Sequence, residues 1–200
     1  MAQITADMVK RLREKSGAGM MDCKQALQAS GGDTEKALVE LRKKGLAMAQ
    51  KKSSRTTKEG MVDAYIHAGG KIGVLVEVGV ETDFVARGDK FREFCHDLAL
   101  QVAASSPRWV RREDVPAKVV EAEKTVYAGQ AKGKPENVVE KIVSGKLEKF
   151  FAETCLMEQP FVKDPDLTIE ALRTSLVGVI GENVEVRRFA RFQLGDIQEG

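Results

Sequence analysis

The hydrophobic period of this 200-residue chain first changes near residue 59, from helical to strand-like, and that change limits the folds open to it. Downstream, Ile72, Val74, Val76, Val78 and Val80 alternate strictly, so five apolar side chains share one strand face that has to be buried. Met61 to His67 reads as the partner strand across a tight turn at Gly69-Gly70, and Asn183 to Leu194 alternates as a third strand. Between them, a helix from Asp89 turns Phe91, Phe94, Cys95, Leu98 and Val102 inward, and residues 105–116 form a loop. Helical stretches follow at about 116–130 and 136–156, separated by Gly133 and Pro135, and another runs from Thr168 to about Ile180. This order predicts an α+β body with a three-stranded antiparallel sheet packed with helices.

Upstream of the change the spacing is helical. Ile4, Met8 and Leu12 recur on one face, with Thr5 placed to cap the first turn. Ser16-Gly17-Ala18-Gly19 breaks that helix, and Met20, Cys23 and Leu27 make the apolar face of a second. Gly31-Gly32 ends it, and Asp33 with Thr34 caps a third, whose inner face is Leu38 and Leu41. Three helices in about 50 residues form a minimal bundle that is only marginally stable by itself. The expected organisation is a three-helix module at 1–50, a basic linker at 51–58 and an α+β core at 59–200.

Charge follows the same division. Residues 1–58 hold 13 Lys/Arg against 6 Asp/Glu, a balance of +7, while the rest of the chain carries −5. The stretch 42–58 has seven basic residues and no acid. It lacks an aromatic side chain for base stacking, so its last part, about 51–58, reads as a solvated linker rather than a nucleic-acid arm. With 42% hydrophobic and 31% charged residues the chain should fold. No apolar run approaches the roughly 18 residues of a membrane helix. Neither a signal peptide nor a transit peptide is evident at the N-terminus. Cys23, Cys95 and Cys155 are odd in number and widely spaced, which fits reduced thiols in a cytoplasmic protein.

Covalent catalysis finds little support. The two histidines, His67 and His96, have no partners at a metal-ligand spacing, and no phosphate-binding loop, dinucleotide fingerprint or nucleophile elbow is present. Gly17-Ala18-Gly19 lacks the Lys-Ser/Thr of a phosphate loop and reads as an interhelix turn. The informative stretch is Glu81-Thr82-Asp83-Phe84-Val85-Ala86-Arg87-Gly88, which leaves a buried strand and enters an amphipathic helix. Two readings stand there. Exposed, Phe84 is an anchor for a pocket on a partner, with Asp83 able to compete for a cation. Alternatively, Phe84 and Val85 close the end of the core while Asp83 or Asp89 caps the helix.

These residues resemble the elongation factor Ts family. Leu12-Arg13-Glu14-Lys15-Ser16-Gly17-Ala18-Gly19-Met20-Met21-Asp22-Cys23-Lys24 is similar to its N-terminal signature, and Tyr65-Ile66-His67 with Gly73-Val74-Leu75-Val76-Glu77 to its hairpin. Thr82-Asp83-Phe84-Val85-Ala86-Arg87 resembles its central signature. Gly145-Lys146-Leu147 through Phe150, Met157 through Asp164, and Gly181-Glu182-Asn183 through Phe189 resemble its C-terminal segments. Gly79 departs from the pattern, standing where the family usually has Asn, and residues 59–200 resemble one half of the two-part core of long members.

The resemblance implies a guanine nucleotide exchange factor for elongation factor Tu. It implies a ubiquitin-associated-like N-terminal bundle that docks on the GTPase, with Arg13, Gly17, Met20 and Met21 as docking candidates. It implies that the loop Thr82, Asp83, Phe84, Val85 acts near the partner's Mg²⁺ and phosphates, Phe84 as a wedge and Asp83 as the neighbour that disturbs the Mg²⁺ site. On this reading the protein has no cofactor, metal or nucleotide of its own, touches no membrane or nucleic acid, and a chain with a single core half pairs with itself as a homodimer. The rival class is an RNA- or ribosome-associated protein that uses the +7 module as its electrostatic footprint. An uncharacterised enzyme is a third class, for which the sequence offers no site.

Overall fold

Caps and apolar spacing decide where the N-terminal helices begin and end. In the computed structural model, which describes residues 4–196, they are α1 (Ala6–Ser16), α2 (Met20–Ala29) and α3 (Thr34–Lys52). Thr5 Oγ1 accepts the Met8 amide at 3.3 Å, and Asp33 Oδ1 accepts those of Glu35 and Lys36 at 3.0 and 3.1 Å, both N-caps as expected. Past the end of α2, Gly32 donates to Leu27 O at 2.8 Å and Gly31 to Gln28 O at 3.3 Å, a Schellman closure of the last turn. Val9, Leu12, Cys23, Ala26, Leu27 and Ala37 form the bundle core, with Ile4, Met8, Leu38 and Leu41 packed against it. Met20 differs from expectation: it opens α2 at 44% exposure, so Cys23, Ala26 and Leu27 make the buried face without it.

The sheet has the order β1-β2-β5, from β1 (Glu59–Ile66), β2 (Ile72–Val80) and β5 (Val184–Gln193), antiparallel as expected and packed with helices. Val74, Val76, Val78 and Val80 are buried, as their alternation requires, while Ile72 at the start of the strand is only half-buried. In β5 the alternation slips at Arg187–Arg188: both are exposed, and they donate to the two Glu77 carboxylate oxygens at 3.0 and 2.6 Å.

After β2 comes a one-turn helix, α4 (Asp83–Ala86), then α5 (Asp89–Ser105). Phe91, Phe94, Cys95, Leu98 and Val102 of α5 are all buried, as read from the sequence. The loop expected at 105–116 contains one 3₁₀ turn at Arg112–Asp114. The helices α6 (Ala117–Gln130) and α7 (Glu136–Thr154) pack on each other. A short hairpin, β3 (Pro160–Phe161) with β4 (Asp164–Thr168), precedes α8 (Ile169–Ile180). The sequence reading missed this hairpin, whose strands are too short to show a period. The buried side chain of Gln101 holds it, accepting from the Val162 amide at 2.9 Å and donating to Pro160 O at 3.1 Å.

The described residues pack as two compact units. One comprises residues 4–61 with Val78–Phe94 and Ala171–Glu185; the other comprises Val62–Glu77, Cys95–Glu170 and residues 186–196. Within the first, α3 and α8 approach through paired glycines, a Cβ on Gly178 falling 3.2 Å from Gly45 Cα. Residues 53–57 carry their own attachments there: Ser53 Oγ donates to Gln50 O at 2.8 Å, and buried Thr57 donates to Glu185 at 2.7 Å. In the second, Val115, Phe150 and Cys155 form a core with Trp109, Val119, Val120 and Phe151 against it.

Candidate functional site

The stretch Thr82–Gly88 begins where a buried strand must give way to a helix, and polar residues make the transition. Val80 is fully buried, and the next residue, Glu81, turns its carboxylate back to accept the Asn183 amide at 2.7 Å and to pair with Arg55 at 3.2 Å. The Asn183 amide and then the Arg55 guanidinium hold the Glu81 carboxyl below its ordinary value of 4.5. Thr82 N-caps α4, its Oγ1 accepting the Val85 amide at 3.4 Å. Its own N–H and O–H both donate to Glu182, at 3.0 and 2.7 Å. Gly88 donates to Val85 O at 2.9 Å and accepts from Phe91 and Arg92, which carries the chain directly into α5.

The side chains at the tip point outward. Phe84 is 83% exposed and therefore closes no core, and Asp83 is exposed in an ion pair with Arg87 one turn on. Val85 is half-buried. Thr82, not Asp83, caps α4, while Asp89 lies in the first turn of α5. Beside the turn is a cleft of about 330 Å³ lined by Glu59, Gly60, Met61, Asp83, Ala86, Arg87 and Arg92. An exposed ring beside a carboxylate, on a turn anchored at its base, can insert into a pocket and compete for a cation.

The docking candidates belong to the same compact unit as this turn. Arg13 is exposed on α1, and Gly17 closes α1 in a left-handed conformation at φ +67°. Lys90, at the start of α5, donates to Gly17 O at 2.9 Å and so ties the α1–α2 turn to the region after α4. Met20 and Met21 open α2 at 44% and 65% exposure.

Other chemistry is weak among the described residues. No group of three or more His, Cys, Asp or Glu is placed to hold a metal, and no helix is long and apolar enough to cross a membrane. His67 accepts or donates at Tyr65 Oη across 3.0 Å, and His96 lies 3.5 Å from Asp63. All three cysteines are free and buried, and burial pushes the Cys95 thiol up to about 12, which removes it as a nucleophile. Sequence reasoning missed the supports of the turn, Arg55, Glu182 and Asn183. They meet Glu81 and Thr82 across 26 to 102 positions, and no local spacing signals that.

Residues 2–196 match the family described as Elongation factor TS. The chain is 58% identical over 195 residues to Elongation factor Ts of Carboxydothermus hydrogenoformans, covering 96% of this chain and 90% of that one. It is 58% identical over 197 residues to Elongation factor Ts of Thermodesulfovibrio yellowstonii, with 98% of each covered. The same protein of Thermotoga petrophila is 55% identical over 194 residues, with 97% of this chain and 98% of that one covered.

Proposed function

The chain belongs to the elongation factor Ts family, and from that premise we propose that it is a guanine nucleotide exchange factor for elongation factor Tu. The observation that carries this reading is the 83% exposure of Phe84 on a turn whose base is pinned by carboxylates. A large ring held in water costs a free protein solubility and contributes no core. It is the expected anchor of a partner pocket.

The exchange follows from linkage. A factor that binds the nucleotide-free GTPase more tightly than the GDP-bound form obliges GDP to weaken the factor by the same ratio. Phe84 wedged into the GTPase domain holds the open form, and Asp83 beside it disturbs the elements around the Mg²⁺. Both loosen GDP, and GTP then rebinds. No covalent bond changes, so the factor needs no acid, base, nucleophile, metal or nucleotide of its own. Thr82 and Val85 shape the turn, and Arg13, Gly17, Met20 and Met21 form the docking surface of the N-terminal module.

The remaining parts of the proposal concern organisation. Residues 1–50 dock, 51–58 connect and 59–200 act as the core. The protein works in the cytoplasm without direct contact with membrane or nucleic acid. It pairs with itself, which is supported by the exposed apolar side chains Val62, Ile66, Leu75 and Phe192 on the strands of its sheet. A molar mass of one chain at micromolar concentration refutes that pairing.

The test of function is release of a fluorescent GDP from elongation factor Tu with and without this protein. Acceleration supports exchange. No acceleration by a folded sample refutes it, and salt-sensitive RNA affinity that falls when Lys43, Lys44, Lys51 and Lys52 are neutralised then establishes the RNA-binding reading.

A further inference from the structure

The turn that carries Asp83 and Phe84 cannot hold its own heading. α4 is four residues long, and one helical turn fixes more backbone freedom than its hydrogen bonds return. Its internal bonds are few: Ala86 donates to Thr82 O and Arg87 to Asp83 O, each at 3.1 Å. The N-cap is a long one at 3.4 Å. What directs it lies 100 positions away in sequence.

Both donors of Thr82 end on the carboxylate of Glu182, the amide on Oε2 at 3.0 Å and the hydroxyl on Oε1 at 2.7 Å. A hydroxyl has one proton and two lone pairs. With the proton committed to Glu182, the lone pairs of Thr82 Oγ1 are turned toward the Val85 amide, and the cap is set. Two bonds to one charged group also fix the backbone direction at Thr82, which is where α4 starts.

Glu182 is itself held. Asn183, next in the chain and buried, donates its backbone amide to Glu81 at 2.7 Å and its side-chain amide to Arg55 O at 2.9 Å. The segments 81–82 and 182–183 therefore exchange carboxylates in both directions. A surface glutamate free of such constraints forms weak, interchangeable contacts; this one is fixed at its base and meets two donors of a single residue.

We propose that Glu182 is a positioning residue for nucleotide exchange, its carboxylate setting the heading of the one-turn helix that presents Asp83 and Phe84. The inference rests on the exchange reading above. Loss of the clamp lowers the fraction of loops in the docking heading, and the apparent second-order constant for GDP release falls by that fraction, about tenfold for Glu182→Ala. Glu182→Gln, which keeps one acceptor oxygen for one of the two Thr82 donors, loses less, about threefold against the wild type.

The experiment measures fluorescent GDP release from elongation factor Tu over a range of factor concentrations for the wild type, Glu182→Ala, Glu182→Gln, Phe84→Ala and the Glu182→Ala/Phe84→Ala pair. Amide hydrogen exchange of the same free proteins accompanies it. The expected result is faster exchange of the Thr82 and Val85 amides in Glu182→Ala with α5 still protected, together with a loss of release activity that vanishes in the Phe84→Ala background. Non-additivity of that kind shows that Glu182 acts through the ring. Full activity in Glu182→Ala overturns the inference, as does an equal loss in the Phe84→Ala background or loss of α5 protection. A folded wild type that accelerates nothing refutes the exchange reading itself, whatever the amides show.

Discussion

Truncating Phe84 to alanine separates a ring that serves the fold from one that serves a partner. Phe84 is 83% exposed, so of the roughly 200 Å² such a side chain can bury, only about 35 Å² is covered in the free protein. At about 25 cal/mol per Å² the mutation costs folding less than about 1 kcal/mol. Covering the remaining area of about 165 Å² in a partner pocket contributes up to about 4 kcal/mol. Ordering the ring on docking takes back about 1 kcal/mol, leaving about 3 kcal/mol for the complex. Expressed in the transition state for GDP release, at about 1.4 kcal/mol per decade, this is about a 100-fold loss in the second-order rate constant. Stopped-flow release of fluorescent GDP from elongation factor Tu reads that constant, and urea unfolding reads the stability. A release constant within threefold of wild type refutes the wedge. Destabilisation by several kcal/mol shows instead that the ring supports the fold.

Three other perturbations have worked directions. Gly60 sits at φ +148°, and a Cβ there falls 2.1 Å from Val78 O and 2.9 Å from Gly79 Cα, so Gly60→Ala should destabilise by about 3 kcal/mol or more in urea unfolding. Met21 is 65% exposed at the start of α2, so Met21→Ala should leave stability within about 0.5 kcal/mol and weaken binding to the partner severalfold in a titration. The Glu81 carboxyl is held below 4.5 by the Asn183 amide and then Arg55, so the folded state binds its proton less readily than the unfolded chain. Its contribution is complete above about pH 4.5 and is lost as pH falls through the lower folded value; melting temperature against pH should drop there, and less steeply in Glu81→Gln.

Much of the framework was readable from spacing because it is set by neighbours in sequence. Thr5, Asp33 and Gly31-Gly32 bound their helices through bonds that span two to five residues. The alternation from Val74 to Val80 and the spacing of Phe91, Phe94, Leu98 and Val102 each named a buried face that the structure buries. The N-terminal signature, the hairpin, the Thr82–Arg87 segment and the C-terminal segments, matching in order, together indicated the family. The hairpin at Pro160–Thr168 escaped because two- and five-residue strands carry no period, and it depends on the remote side chain of Gln101. Met20 was misplaced because helical spacing cannot tell the first turn of a helix, which can project beyond the bundle, from its interior.

The sequence by itself determined the elements, the change from helices to sheet, the caps and the residues at the tip of the loop, since each follows from contacts within a turn or a strand. Whether Phe84 is core or anchor was open on those grounds, and only the tertiary structure decided that it stands in solvent. The same holds for the clamp of Glu81 and Glu182 on Asn183 and Thr82. A carboxylate's partner across 100 residues is fixed by how strands and helices pack, and that is a property of the folded chain with no local pattern to announce it.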